Sequence, residues 1–257
     1  MATSFSVNTL HVDFESVLAM EHSGMVGMFK MLENRLKGFL TATGSMYEAA
    51  VGEFFTNTKV IAGTIVCSVA NRKLELSKEV FAETFGLPTE GMVGFLDIPK
   101  ETVSEMRIRF YGSQVPFRAP SKKKGMKMEY RLLHDIVAKA LCAKAGSFDM
   151  VTSEKFDLMV AILVDLTVNW SRILFNTFIA MVNSQSRQSQ GYAVQISVVL
   201  GNMVNTDLGE SVKLHLKKVL TGRAMATYIK KNLKVTPAGE SSKKTEDSTS
   251  DTEGGES

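Results

Sequence analysis

The carboxylates Glu48, Glu53, Asp157 and Asp165 are the side chains from which a nuclease or transposase centre would have to be drawn. That chemistry needs three carboxylates converging on two divalent metal ions. All four fall on stretches that read as helix surface, away from the strand-borne setting of ribonuclease-H-like catalysis, so no such centre is expected. His11, His22, His134 and His215 are separated by long intervals. His134 and Asp135 are neighbours on one helix, and adjacent helical residues do not face each other, which argues against a His-Asp relay. Ser121 and Lys124 have the Ser-x-x-Lys spacing of some acyl-transfer enzymes, but they lie in a proline-flanked loop where a hydroxyl is too solvated to be activated.

The two cysteines, Cys67 and Cys142, stand far apart among apolar residues. They suggest neither a disulfide framework nor a zinc module, and both read as buried reduced thiols. There is no Gly-Lys-Ser/Thr phosphate loop and no dinucleotide glycine pattern. The expectation is therefore a protein without catalytic residues, metal, organic cofactor or small-molecule substrate.

Charge is the remaining chemical signal. The net charge of +3 conceals a division: residues 1–99 sum to −4, residues 100–144 to +7, residues 145–237 to +4 and residues 238–257 to −4. Within the basic middle, Arg118, Lys122, Lys123, Lys124, Lys127 and Arg131 form a cluster that can neutralise several phosphates without reading base sequence. A solvated loop that aids solubility and a nuclear-import signal are the competing readings. Phe117 and Tyr130 are the only aromatics there, so base stacking adds little. If the cluster binds nucleic acid, replacing Lys122, Lys123 and Lys124 with alanine flattens the logarithmic salt slope by up to about three units.

The positioning elements follow from periodicity. A helix is predicted over Asp13–Phe39, with Met25, Met28, Phe29, Leu32 and Leu36 as its apolar stripe and with Gly24 and Gly27 dividing it. A second helix is expected over Ser45–Asn57, capped by Ser45. The period then changes: Thr64–Val69 and Lys73–Leu76 read as a hairpin turning at Asn71-Arg72. Ser77 caps a helix whose inner face is Val80, Phe81, Thr84 and Phe85, stopped by Gly86 and Pro88. Pro99 opens another helix, to about Phe110.

Residues 112–125 read as a basic surface loop dividing a helical N-terminal half with hairpin, 1–111, from a helical C-terminal half, 126–235. In the latter, Tyr130, Leu133, Ile136, Val137, Ala140 and Leu141 line one face of a helix over Met126–Lys144. Further helices are predicted near Thr152–Leu166, Asn169–Asn183, Gly191–Val204 and Arg223–Asn232. Residues 236–257, acidic and rich in Ser and Thr, are expected to be disordered. The fold class is thus mainly α, a multi-helix globular body with one small β-hairpin near 64–76. Phe156–Val182 carries Asp157, Asp165, Asn169 and Arg172, which leaves no apolar run of about 20 residues for a membrane span. The N-terminal residues lack a signal-peptide pattern. An intracellular protein, nuclear or cytoplasmic and not secreted, is expected.

Several of these segments occur in a telling order. Phe54-Phe55-Thr56-Asn57, the hairpin ending Leu74-Glu75-Leu76-Ser77, and Phe85-Gly86-Leu87-Pro88 together resemble a domain of plant transposon-derived proteins. In that domain a phenylalanine-aromatic-alanine-asparagine helix end precedes a valine-rich strand pair and a leucine-glycine-leucine-proline stop. Leu158–Ile162, Val168-Asn169-Trp170, Ile173-Leu174-Phe175 and Gly191–Ser197 are similar to its helical second half, so the resemblance covers roughly residues 13 to 233. Thr84 and Phe85 stand where two leucines are common, and Thr56 where alanine is. The family brings no established catalytic residues, so the resemblance implies descent from a mobile element rather than an enzyme class. The expected function is a non-catalytic structural or protein-interaction module, binding a protein partner or itself. The alternative is weak, sequence-independent nucleic-acid binding through the basic middle.

Overall fold

Asp13 accepts a hydrogen bond from the Ser16 amide and so starts a short helix, α1 (Phe14–Leu18). His22 does the same for α2 (Ser23–Leu40), its Nδ1 accepting from the Met25 amide at 3.2 Å. The break in the predicted first helix therefore falls at residues 19–22. Gly24 and Gly27 lie inside α2, because burial of Met25, Met28, Phe29, Leu32, Leu36, Phe39 and Leu40 outweighs a glycine cost of about 1 kcal/mol each. The computed structural model describes residues 10–41, 45–95, 98–112, 119–143, 149–164, 166–184, 192–204, 207–213 and 219–233. The expected acidic tail, with Arg118, Asp165 and His215, lies outside the described residues.

The second helix starts later than its sequence suggested. Ser45–Met46 forms a short strand paired antiparallel with Val212–Lys213, and α3 (Glu48–Thr56) begins after Tyr47, which gives no side-chain cap. Instead the Tyr47 amide donates to Ser197 Oγ. The β unit has three antiparallel strands, β3 (Lys59–Ile61), β4 (Thr64–Val69) and β5 (Arg72–Leu76), counting the strands of His11–Val12 and Ser45–Met46 as β1 and β2. Both connections are two-residue turns with positive φ, at Ala62-Gly63 and Ala70-Asn71. The hairpin thus turns one residue earlier than Asn71-Arg72, since tight antiparallel turns need left-handed backbone at both central positions. β4 alternates buried and half-buried residues, placing Ile65, Cys67 and Val69 in the core.

Ser77 caps α4 (Lys78–Phe85) as expected, and Gly86 ends it with φ of 57°. The Leu87 amide reaches Ala82 O and the Gly86 amide Glu83 O, a pair of bonds that only a left-handed residue permits cheaply. α5 (Lys100–Tyr111) follows Pro99. α6 (Met128–Ile136) continues as a π-helical turn, Val137–Leu141, and buries the predicted stripe. α7 (Ser153–Leu163), α8 (Trp170–Val182), α9 (Ala193–Met203) and α10 (Gly222–Asn232) complete the described helices.

α2 packs on α1, α4, α6 and α7, α4 packs on α8 and α9, and α1 on α10. Phe39, Phe81, Phe85, Phe175, Phe178 and Tyr192 meet at this centre with ring centroids 5.0–6.1 Å apart. Buried side chains from before and after residues 112–125 form one connected core. His11–Val12 pairs in parallel with Val219–Leu220, which ties the start of the described chain to the segment entering α10. Among the described residues, no helix is long and apolar enough to cross a membrane.

Candidate anion-binding cleft

The basic segment is held in place at its C-terminal end. Ser121–Lys122 is a short strand paired antiparallel with Met150–Val151, and Lys123–Gly125 is a turn of 3-10 helix. The Lys123 amide donates to Asp149 O at 2.8 Å, and Ser121 Oγ meets Tyr111 OH at 2.6 Å. The part of the predicted loop around Ser121 is therefore ordered. The Ser121 hydroxyl is engaged by a half-buried tyrosine, whose own ionisation is pushed up by that burial.

Three further elements close a cleft of about 540 Å³ around these lysines. On α6, Arg131 and Asp135 are four residues apart and share a face. On α10, Tyr228 and Asn232 repeat that spacing. Asp149 and Met150 form the remaining wall. Lys122, Lys123, Lys124 and Arg131 of the expected cluster thus come together. Lys127 does not: it is exposed and its side chain lies toward Gly112. The cleft's contribution from α10, at least 97 residues away in sequence from Arg131, had no signal in the basic cluster itself.

The electrostatics of the cleft turn on one pairing. Lys123 Nζ donates to Asp135 Oδ1 at 2.6 Å and stands 3.9 Å from Asp149 Oδ1. Burial opposes the charge on Asp135, but the cations Lys123, bonded to it, and Lys139 outweigh it and hold the carboxyl below its ordinary value. An aspartate at i+4 would ordinarily neutralise Arg131, but Lys123 has taken it. Arg131 is only 8% exposed, its Nε is buried without a partner, and no hydrogen bond or ion pair holds the guanidinium among the described residues. A buried charge left uncompensated is strongly destabilising. The Tyr228 hydroxyl, pushed up to about 12 chiefly by burial, donates to Met128 O at 3.1 Å and stays neutral beside Arg131.

The other chemical candidates are dispersed. Glu53 Oε2 accepts from the Ala70 amide and braces the hairpin turn. Glu48 lies in the first turn of α3, and Asp157 is on α7, where burial raises its carboxyl above the usual range. His134 Nδ1 is 3.8 Å from Asp135 Oδ1, beyond hydrogen-bond reach, while its Nε2 faces Met150 O at 3.2 Å. A carbonyl only accepts, so Nε2 carries the proton. Cys67 is buried as expected, whereas Cys142 is only half-buried. Among the described residues, no three His, Cys, Asp or Glu side chains are grouped to hold a metal ion.

The fold and site define a mainly helical protein carrying a cationic cleft. No family model matches the chain, and neither a curated protein nor a solved structure matches it.

Proposed function

We propose that this chain is a non-catalytic nucleic-acid-binding protein that contacts phosphates, without reading sequence, through Lys122, Lys124 and Arg131. The observation that carries this reading is the buried guanidinium of Arg131, which has no partner among the described residues and faces a cleft rimmed by exposed lysines. Guanidinium and phosphate are matched in charge and in fork geometry. Exposed Lys230 and Lys231, in the last turn of α10 beside Asn232, extend the positive field at the same end. The protein acts in the nucleus or the cytoplasm in this reading, and its plant mobile-element ancestry rests on the ordered resemblance of residues 13 to 233.

Filter binding of a mixed-sequence oligonucleotide at several salt concentrations tests the proposal, with wild type beside Lys122→Ala/Lys124→Ala. Lys123 is already committed to Asp135, so the double variant removes the two exposed lysines of the cleft that have no ion pair among the described residues. The logarithmic salt slope is expected to flatten by about two units for every sequence alike, roughly one per lost phosphate contact. An unchanged slope overturns the assignment to this cleft.

A second reading, an interaction module that binds a protein partner or itself, is favoured by a different observation. Phe54, Phe55, Leu74, Leu76, Phe85, Leu87, Trp170 and Tyr192, which carry the transposon-protein resemblance, are all buried. That resemblance therefore speaks to packing, and a fold can be kept without its ancestral activity. Absence of nucleic-acid binding at low salt leaves this reading in its place.

A further inference from the structure

We propose that the Arg131 cleft is an end-recognition site, which takes the terminal phosphomonoester of a single-stranded nucleic acid in preference to an internal phosphodiester. The inference rests on the nucleic-acid reading above and narrows it to one kind of phosphate.

Depth is the first argument. Lys122 and Lys124 are exposed, whereas Arg131 is 8% exposed with its Nε fully covered. An internal phosphodiester is flanked by sugars on both sides, so it reaches surface lysines readily but a recessed guanidinium only by burying chain in both directions. A terminal phosphate projects from a single ester bond and offers three free oxygens to the floor of the cleft. Charge is the second argument. The wall presents four cations against Asp135 and Asp149, and the Lys123–Asp135 pair is closed on itself. Asp149 stands at the exposed side, its side chain 77% accessible. Among the described residues the floor is left with a cation that lacks an anion, which suits a phosphomonoester carrying about −1.5 to −2 charges better than a diester carrying one.

Shape is the third argument. A volume of about 540 Å³ lies in the range of small-ligand pockets and admits a phosphate with one nucleoside. The ring of Tyr228 and the side chain of Met150 give that nucleoside an apolar wall, and the Asn232 amide supplies both donor and acceptor at the rim. These contacts recognise a nucleotide unit without distinguishing one base from another. The carbonyl of Met150 is turned inward, facing His134 Nε2 and accepting from Lys155 Nζ at 3.1 Å, so it does not oppose an incoming anion.

The experiment compares one short single strand, labelled internally, in three forms: phosphate at the 5′ end, phosphate at the 3′ end, and hydroxyl at both. Fluorescence anisotropy with the full chain is expected to give at least tenfold tighter binding to one phosphorylated form than to the hydroxyl form. Inorganic phosphate should compete weakly and a nucleoside monophosphate better. Arg131→Gln is expected to weaken binding of the phosphorylated strand at least tenfold and that of the hydroxyl strand by less, so that the end preference is erased, and Arg131→Lys to retain part of it. Should Arg131→Gln fail to fold, Asn232→Ala at the half-exposed rim is the second variant, and a fewfold loss confined to the phosphorylated strand supports the proposal. Equal binding of all three strands overturns end recognition and leaves general nucleic-acid binding standing. Failure of every strand overturns both readings, even if inorganic phosphate alone still raises the melting temperature.

Discussion

Lys123 Nζ and Asp135 Oδ1 meet at 2.6 Å, across the junction of the basic turn and α6, with both side chains 21% exposed. This bond orders the lysine segment and, in the same stroke, withholds from Arg131 the carboxylate one helical turn away. Because the folded state depresses the Asp135 carboxyl, the stability it contributes is fully present above the unfolded value, about 3.9. That stability is lost as pH falls through the lower, folded value. Asp135→Asn should cost about 1–2 kcal/mol at pH 7, measured by urea unfolding, and the difference from wild type should shrink below about pH 4. The same variant frees Lys123, so it should bind oligonucleotides more tightly and with a steeper salt dependence. A destabilisation that stays constant down to pH 2 would contradict the assignment.

Gly38 and Gly27 lie on the same helix and should respond in opposite directions. A Cβ on Gly38 would stand 2.2 Å from the Phe85 carbonyl oxygen, which belongs to the backbone and cannot swing aside. This close approach lets α2 settle against the end of α4. Gly38→Ala should therefore destabilise the protein by about 3 kcal/mol, at the upper end of overpacking costs. A Cβ on exposed Gly27 meets nothing within 4 Å, and Gly27→Ala should stabilise by about 0.5–1 kcal/mol through helix propensity. Thermal unfolding of the two single variants checks both signs.

The elements most legible in the sequence were those specified by several local signals at once. α4 had a serine cap, an apolar face and a Gly-Leu-Pro stop, and its ends fall at Lys78 and Phe85, between Ser77 and Gly86. α6 and its π-helical continuation shared a long stripe, and all six of the stripe residues are buried. Where one signal stood alone, tertiary context decided. The glycines of α2 did not break it, since a continuous buried stripe outweighs two propensity penalties. Ser45 did not start α3, because residues 45–46 pair with residues 212–213, an arrangement between segments far apart that no local pattern announces.

Half of the candidate site was legible for a similar reason. The lysine run and Arg131 are a contiguous charge cluster, so their types and rough proximity follow from the sequence. Which of them remain available does not. That depends on Asp135 choosing Lys123 over Arg131, and on α10 bringing Tyr228 and Asn232 to the opposite wall. The pairing His11↔Val219, 208 positions apart, secures the segment leading into α10. Charge counting along the chain treats all six cations alike, while folding buries one, pairs another and turns Lys127 away.

The turn between β3 and β4 offers a stabilising test of the backbone reading. Ala62 and Gly63 have φ of 48° and 78°, and Ala62 is exposed. Alanine in a left-handed conformation is strained by about 1 kcal/mol, whereas asparagine tolerates it and Asn-Gly is the preferred pair for such a turn. Ala62→Asn should raise stability by about 0.5–1 kcal/mol. The measurement is the urea midpoint, and a fall in that midpoint would mean the strands do not turn as described.

The two thiols should separate in reactivity. Cys67 faces inward from β4, and burial pushes its ionisation up to about 11. At pH 8 only about one molecule in a thousand carries the thiolate that alkylating reagents attack, and that fraction is shielded as well. Cys142, at the end of the π-helical turn, is half-buried and carries a reduced thiol. Iodoacetamide at pH 8 on the native protein should therefore modify Cys142 first, with Cys67 labelled at a rate set by unfolding. Peptide mass spectrometry over a time course, with and without denaturant, reads this directly. Destabilising α2 with Gly38→Ala should speed the labelling of Cys67 and leave the rate at Cys142 nearly unchanged, because only the buried thiol depends on opening the core. Rapid native labelling of Cys67 would show that β4 does not sit against the core as the alternation of its side chains requires.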